Sequence, residues 1–275
     1  MSDPRDALEA IGSLPDAEIE IGDAALQLAR VDAPDADWLA ARAHLSELAR
    51  GVIEHGASIG PDADLEERVH ILAEVLGGQG YAGDTEQYED MVNANLIRVI
   101  ERRRGLPVSL GILWLHCAQA AGWGAHGVDF PGHFLIALEG HGRQMIVDVF
   151  TGGDPLDAPA MRALIKRIEG EKVELRPGLM SPMTTRAVLL RLQNNIKLRR
   201  LRGGDLAGAL SCTQDMLRFA PEVAAMWREA AAMHERLDEV SAALRCFERF
   251  LALQPDGEAA EKARAAVNGL RSRLN

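Results

Sequence analysis

The stretch His133-Phe134-Leu135-Ile136-Ala137-Leu138-Glu139-Gly140-His141-Gly142-Arg143-Gln144-Met145-Ile146-Val147-Asp148-Val149-Phe150 sets two runs of strand formers around a glycine-rich centre. That is the pattern of a β-hairpin. It decides the fold class, because most of the remaining chain has helical spacing. If Gly140 and His141 are the central residues of a type II′ turn, which wants Gly first, Glu139 pairs with Gly142 and His133 stands directly opposite Asp148. Residues paired in that way share one face of the sheet, with Cβ atoms about 4.5–5.5 Å apart. A three-residue loop would lose the direct pairing.

Upstream of the hairpin, Pro107 suits the first position of a helix in which Leu110, Leu113, Trp114, Cys117 and Ala121 are apolar, ending at Gly122. Such a helix is buried, and Ser109 lies in its first turn. Before it, Asn93 is expected to cap a helix through Leu96, Val99 and Ile100. The run Arg102-Arg103-Arg104 then falls where a helix dipole favours solvated positive charge. The spacing also predicts amphipathic helices over 37–55 and 65–76, the second capped by Asp62 or Asp64 and stopped by Gly77 and Gly78. Residues 81–90 read as a loop.

Downstream, 161–168 reads as a short helix, and Glu174-Leu175-Arg176-Pro177-Gly178-Leu179-Met180-Ser181-Pro182 as a linker, since two prolines and a glycine break any helix. Beyond it the chain matches itself at an offset of 34, Ala209 with Ala243, Cys212 with Cys246 and Pro221 with Pro255. That is the tetratricopeptide period. The second unit has Trp227, Ala231, Phe247 and Pro255 at signature spacing, whereas Gln193 and Thr213 replace the Trp and the Phe in the first. Residues 258–274 read as the capping helix such arrays need. The expected layout is an acidic, partly helical segment over 1–35, a core domain over 36–173, a linker over 174–184, and about two repeats with a cap over 185–275.

Composition narrows the function. The 275 residues carry a net charge of −11, and the first 90 hold 5 basic against 21 acidic side chains. Such a surface repels phosphates, and the mild basic excess after residue 184 is too small for a nucleic-acid surface. No window approaches the roughly 18 apolar residues of a membrane span, so a soluble protein is expected, with no membrane partner. Cys117, Cys212 and Cys246 lie far apart, which indicates neither a disulfide framework nor a cysteine zinc site and fits a reducing cytoplasm. His116, His126, His133 and His141 lack metal-ligand spacing; no metal or cofactor is expected.

The constellation with chemical content is Ser109, His133 and Asp148, a nucleophile position at a helix start, a base and an orienting carboxylate on two strands. A helix N-terminus offers unpaired N–H groups to an anion, an imidazole takes a proton, and a carboxylate holds its tautomer. The competing reading makes Ser109 a first-turn polar residue and His133–Asp148 a satisfied cross-strand pair.

The residues Asn93-Ala94-Asn95-Leu96, Arg103-Arg104-Gly105-Leu106-Pro107-Val108-Ser109-Leu110, Phe130-Pro131-Gly132-His133-Phe134-Leu135 and Asp148-Val149-Phe150 resemble the transglutaminase-like core of the bacterial SirB family. A tetratricopeptide tail is also that family's layout. The resemblance implies an α+β, papain-like core, with helices packed on an antiparallel sheet, followed by an all-α repeat domain. It implies as well that active members of the wider superfamily carry a Cys near the start of the helix, where this chain has Ser109. Cys117 lies eight residues on, ~12 Å down the helix, and cannot substitute. Two functions follow: a catalytically silent core serving as a regulatory scaffold, with repeats that hold a protein or peptide partner, or a Ser109–His133–Asp148 acyl-transfer or hydrolytic enzyme acting on amide or ester bonds.

Overall fold

The computed structural model describes residues 3–60, 63–176, 178 and 180–274, which form two compact units, Pro15–Leu192 and Met1–Leu14 with Gln193–Asn275. In chain order, helix α1 (Pro4–Gly12) belongs to the second unit. The first holds α2 (Ile21–Asp32), α3 (Trp38–Gly56), α4 (Leu65–Gly78), α5 (Leu96–Arg102), α6 (Pro107–Ala120) and α7 (Ala158–Glu169). Strands β1 (Ala82–Gly83) and β2 (Arg104–Gly105) form a small parallel pair. Strands β3 (Gly124–Phe130), β4 (His133–Gly140), β5 (Arg143–Asp148), β6 (Asp154–Pro155) and β7 (Ser181–Met183) make an antiparallel sheet in the order β6-β5-β4-β3-β7.

Local chemistry sets the helix ends. Asp37 caps α3 by accepting from the Ala40 amide at 3.0 Å. Asp64 and Glu67 form a reciprocal capping box at the start of α4; the alternative cap, Asp62, lies outside the described residues. Gly77 and Gly78 do not stop α4. The helix runs through both, and the left-handed residue is Gly80, φ 85°, where the Tyr81 amide reaches back to the Leu76 carbonyl and the Gly80 amide to that of Gly77. This Schellman arrangement needs its glycine one step beyond the last turn. Asn95, rather than Asn93, caps α5.

Helix α6 is buried on nearly every side, and it lies on one face of the sheet. A side chain on Gly111 would collide with the Phe134 ring, so only a residue without Cβ lets the helix and β4 come this close. Successive strand residues point to opposite faces. Phe134 therefore faces α6, while Leu135 and Ala137, with Val128, Phe130 and Ile146, pack under Met161, Leu164 and Ile165 of α7. His133 and Asp148 fall in register with this second set.

The hairpin exists with a different turn. Gly140 pairs with Arg143 and Ile136 with Val147, so the two central residues are His141 (φ 51°) and Gly142 (φ 71°). Positive φ at both is the type I′ geometry, whose twist matches the strands, and His is among the few non-glycine types that tolerate it. The pairing is shifted by two residues from the expected one. An even shift keeps every side chain on its face, and Asp148 becomes a diagonal neighbour of His133 instead of its direct opposite.

Two stretches expected to lie apart from the core belong to folded bodies. Residues 181–183, read as linker, form the edge strand β7, pairing Gly127 with Met183 and Asp129 with Ser181. Pro182 is tolerated there because an edge position requires no further amide donor. Pro177 and Leu179 of the same stretch lie outside the described residues. The 1–35 segment is divided: α2 buries Ile21, Leu26 and Leu28 in the first unit, and α1 buries Leu8 in the second.

In the second unit, the part of α8 (Thr185–Arg202) from Gln193 onward and α9 (Leu206–Phe219) form the first repeat, and α10 (Ala224–Arg236) with α11 (Val240–Leu253) the second, followed by α12 (Glu258–Leu274). The degenerate positions are locally satisfied. Cys212 donates to the Gln193 side-chain oxygen at 3.2 Å, and Thr213 to the Ala209 carbonyl at 2.9 Å. Helix α1 packs on α9, where Arg5 donates to Asp215 at 2.8 Å. No helix among the described residues is long and apolar enough to cross a membrane.

Candidate functional site

His133 opens β4 directly after the two-residue Pro131–Gly132 turn, and Asp148 closes β5. Imidazole Nε2 lies 3.0 and 3.1 Å from the two carboxylate oxygens of Asp148. The carboxylate also accepts from the Phe150 amide at 3.0 Å, so Asp148 is fixed by its own following turn. In the neutral tautomer whose Nε2–H donates to Asp148, Nδ1 is the acceptor nitrogen. The His133 side chain is 12% exposed and that of Asp148 4%, enough access for a ligand atom at the ring and little for water at the carboxylate.

An aromatic row continues from the pair. The Phe150 ring meets His133 edge-on at 6.2 Å and Tyr88 edge-on at 5.9 Å, and lies flat enough on Gly83 to leave no room for a Cβ there. Gly83 in turn lines an open recess of about 410 Å³ with the neighbouring 82–87 backbone, Arg102 and Arg104. Tyr88 and Met91 are exposed.

Ser109 is not brought to the pair. Its hydroxyl donates toward the Asn93 carbonyl at 2.8 Å and the Leu106 carbonyl at 3.0 Å, and the residue is 0% exposed. Among the described residues no hydrogen bond joins it to His133. Cys117 is fully buried, and burial pushes its thiol up to about 12, far from the thiolate a nucleophile requires.

What Ser109 does belong to is a polar network preceding α6. The Arg102 guanidinium donates to Asp84 at 3.0 Å and to the Asn93 side chain at 2.8 Å. Asn93 donates to the Gln87 carbonyl at 2.7 Å, while its own carbonyl receives the Leu106 amide and the Ser109 hydroxyl. Asp84 accepts from the Gln87 and Glu86 amides, and the Gln87 bond above all, with Arg102 assisting, holds its carboxyl below the usual range. Arg102 and Arg104 are exposed, as expected of solvated charges, and Arg103 is half-buried, yet each has a partner. Arg102 is in this network, Arg103 lies over the Tyr81 ring at 4.8 Å, and Arg104 donates to the Gly80 carbonyl. Spacing pointed to Asn93 and the arginines as helix ends; nothing in it signalled Asp84, which acts from outside both helices. Among the described residues no cluster of three His, Cys, Asp or Glu is placed to hold a metal.

Residues 40–194 match the family model described as the transglutaminase-like superfamily, and residues 196–268 match a tetratricopeptide repeat model. The chain is 31% identical to a UPF0162 protein of Xylella fastidiosa over 179 residues, 64% of this chain and 64% of that protein's length. It is 30% identical to a UPF0162 protein of Pseudomonas aeruginosa over 255 residues, 92% of this chain and 91% of that one. Similarity to Protein SirB1 of Salmonella typhimurium is 23% over 204 residues, covering 74% of this chain and 76% of the relative.

Proposed function

The chain belongs to the transglutaminase-like superfamily, with tetratricopeptide repeats behind that domain, and from this premise we propose that it is a non-catalytic, regulatory protein-binding scaffold. The observation that carries the reading is the engagement of Ser109. A hydroxyl with one hydrogen, directed at two backbone carbonyls and closed off from solvent, has no hydrogen-bonded base to activate it among the described residues. The missing thiol supports the same reading, since thiolate chemistry is what a helix start and a nearby imidazole promote most readily.

The His133–Asp148 pair then serves recognition. A tautomer fixed by Asp148 presents Nδ1 as an acceptor of defined direction, beside an aromatic row and a recess within the ordinary size of ligand pockets, about 300–1,000 Å³. The repeats supply the second surface, for a protein or peptide partner in the cytoplasm, as helical repeat arrays do with their extended faces. One observation favours the alternative: the pair has the imidazole–carboxylate geometry of an acyl-transfer site on amide or ester bonds.

A fluorophosphonate probe separates the two. The scaffold leaves the full chain unlabelled at Ser109. Labelling of the wild type that disappears in Ser109→Ala makes the protein a serine hydrolase or acyltransferase and ends the scaffold reading.

A further inference from the structure

We propose that Arg191 is the positioning residue of the His133–Asp148 pair. The Arg191 guanidinium reaches across the β3–β4 turn. It donates to Asp129 at 2.6 Å, to the His133 carbonyl at 2.6 Å and to the Phe130 carbonyl at 3.4 Å. These three acceptors flank Pro131–Gly132, so one side chain fixes both arms of the turn from which the imidazole projects. Planar, multidentate contact of this kind suits guanidinium and is not reproduced by an ammonium.

The part of α8 that carries Arg191 is itself held in place. Asp16 caps its first turn through the Thr185 and Arg186 amides at 2.8 and 3.0 Å, and Val188, Leu189 and Leu192 are buried. This deepens the scaffold reading, on which it rests, by naming the side chain that aims the imidazole.

The test is imidazole ¹⁵N spectroscopy of the full chain, with His133→Gln assigning the resonances. Arg191→Ala is expected to shift the His133 ring signals toward those of a free imidazole, with Arg191→Lys recovering part of the difference. Asp129→Asn, a change at an exposed carboxylate, gives a smaller shift in the same direction and guards against misfolding of the arginine variant. Signals indifferent to Arg191→Ala overturn the proposal. The scaffold reading is judged separately by fluorophosphonate labelling, so either can fail alone.

Discussion

Ser109 offers one hydroxyl hydrogen to two carbonyl oxygens, those of Asn93 and Leu106, and the scaffold reading makes this bond its role. Its removal takes away a buried hydrogen bond without opening a large cavity. Ser109→Ala is therefore expected to cost about 1 kcal/mol, read as a lower urea midpoint at unchanged m-value, with the His133 resonances undisturbed. A catalytic serine would give the opposite outcome, loss of activity at nearly constant stability. The position was legible as a helix start, from Pro107 and the apolar spacing behind it. Its direction was not, because the acceptor is the backbone of a residue sixteen positions upstream, and no side-chain pattern encodes where a distant carbonyl will point.

At the scale of elements, the network of Asp84, Asn93 and Arg102 ties the 84–91 loop to the start of α6. Since the folded Asp84 carboxyl titrates below its ordinary value, about 3.9 for an unperturbed Asp, its ionised form stabilises the fold at higher pH. That contribution is complete above the unfolded value and is lost as pH falls through the lower folded one. Amide protection at Glu86 and Gln87 should hold at pH 5 and fall only as pH drops below the ordinary Asp value, and Asp84→Asn should remove this pH dependence; protection that stays constant down to acid unfolding in the wild type contradicts the assignment. The β4–β5 hairpin shows how local patterns succeed and err together. Strand-forming runs around Gly140-His141-Gly142 specify a tight turn, yet Gly-His and His-Gly are both admissible central pairs, and the choice rests on strand twist. The facing of His133 and Asp148 survived because the two registers differ by an even number. The repeats were legible for a simpler reason, since each buries its apolar positions against its immediate neighbours in the chain. Arg191 was not, because its acceptors Asp129 and His133 lie 62 and 58 positions away, and neither was the bond of Asp84 to Arg102 across 18 residues.

For the whole molecule, α1 is the feature that sequence spacing could not place. The 1–35 stretch was expected only to be partly helical, and the surface α1 covers is on α9, through Leu8, the Arg5–Asp215 bond and an ion pair of Glu9 with Arg218. Removal of residues 1–14 exposes apolar surface on α9 and leaves Asp215, nearly buried, with Arg218 as its remaining ion-pair partner. In the truncated chain the 193–275 helices are expected to unfold at lower temperature than in the full one, while the sheet of Pro15–Leu192 keeps its amide protection. Equal loss in both units would mean that α1 supports the entire chain.

The same helix sets an order of events during synthesis. Arg5 leaves the ribosome 210 residues ahead of the aspartate it binds. At about 5–20 residues per second, α1 waits on the order of ten to forty seconds for its seat to be made. Throughout that interval the nascent transglutaminase-like unit can mature by itself, and the repeat body closes last, around a segment made first.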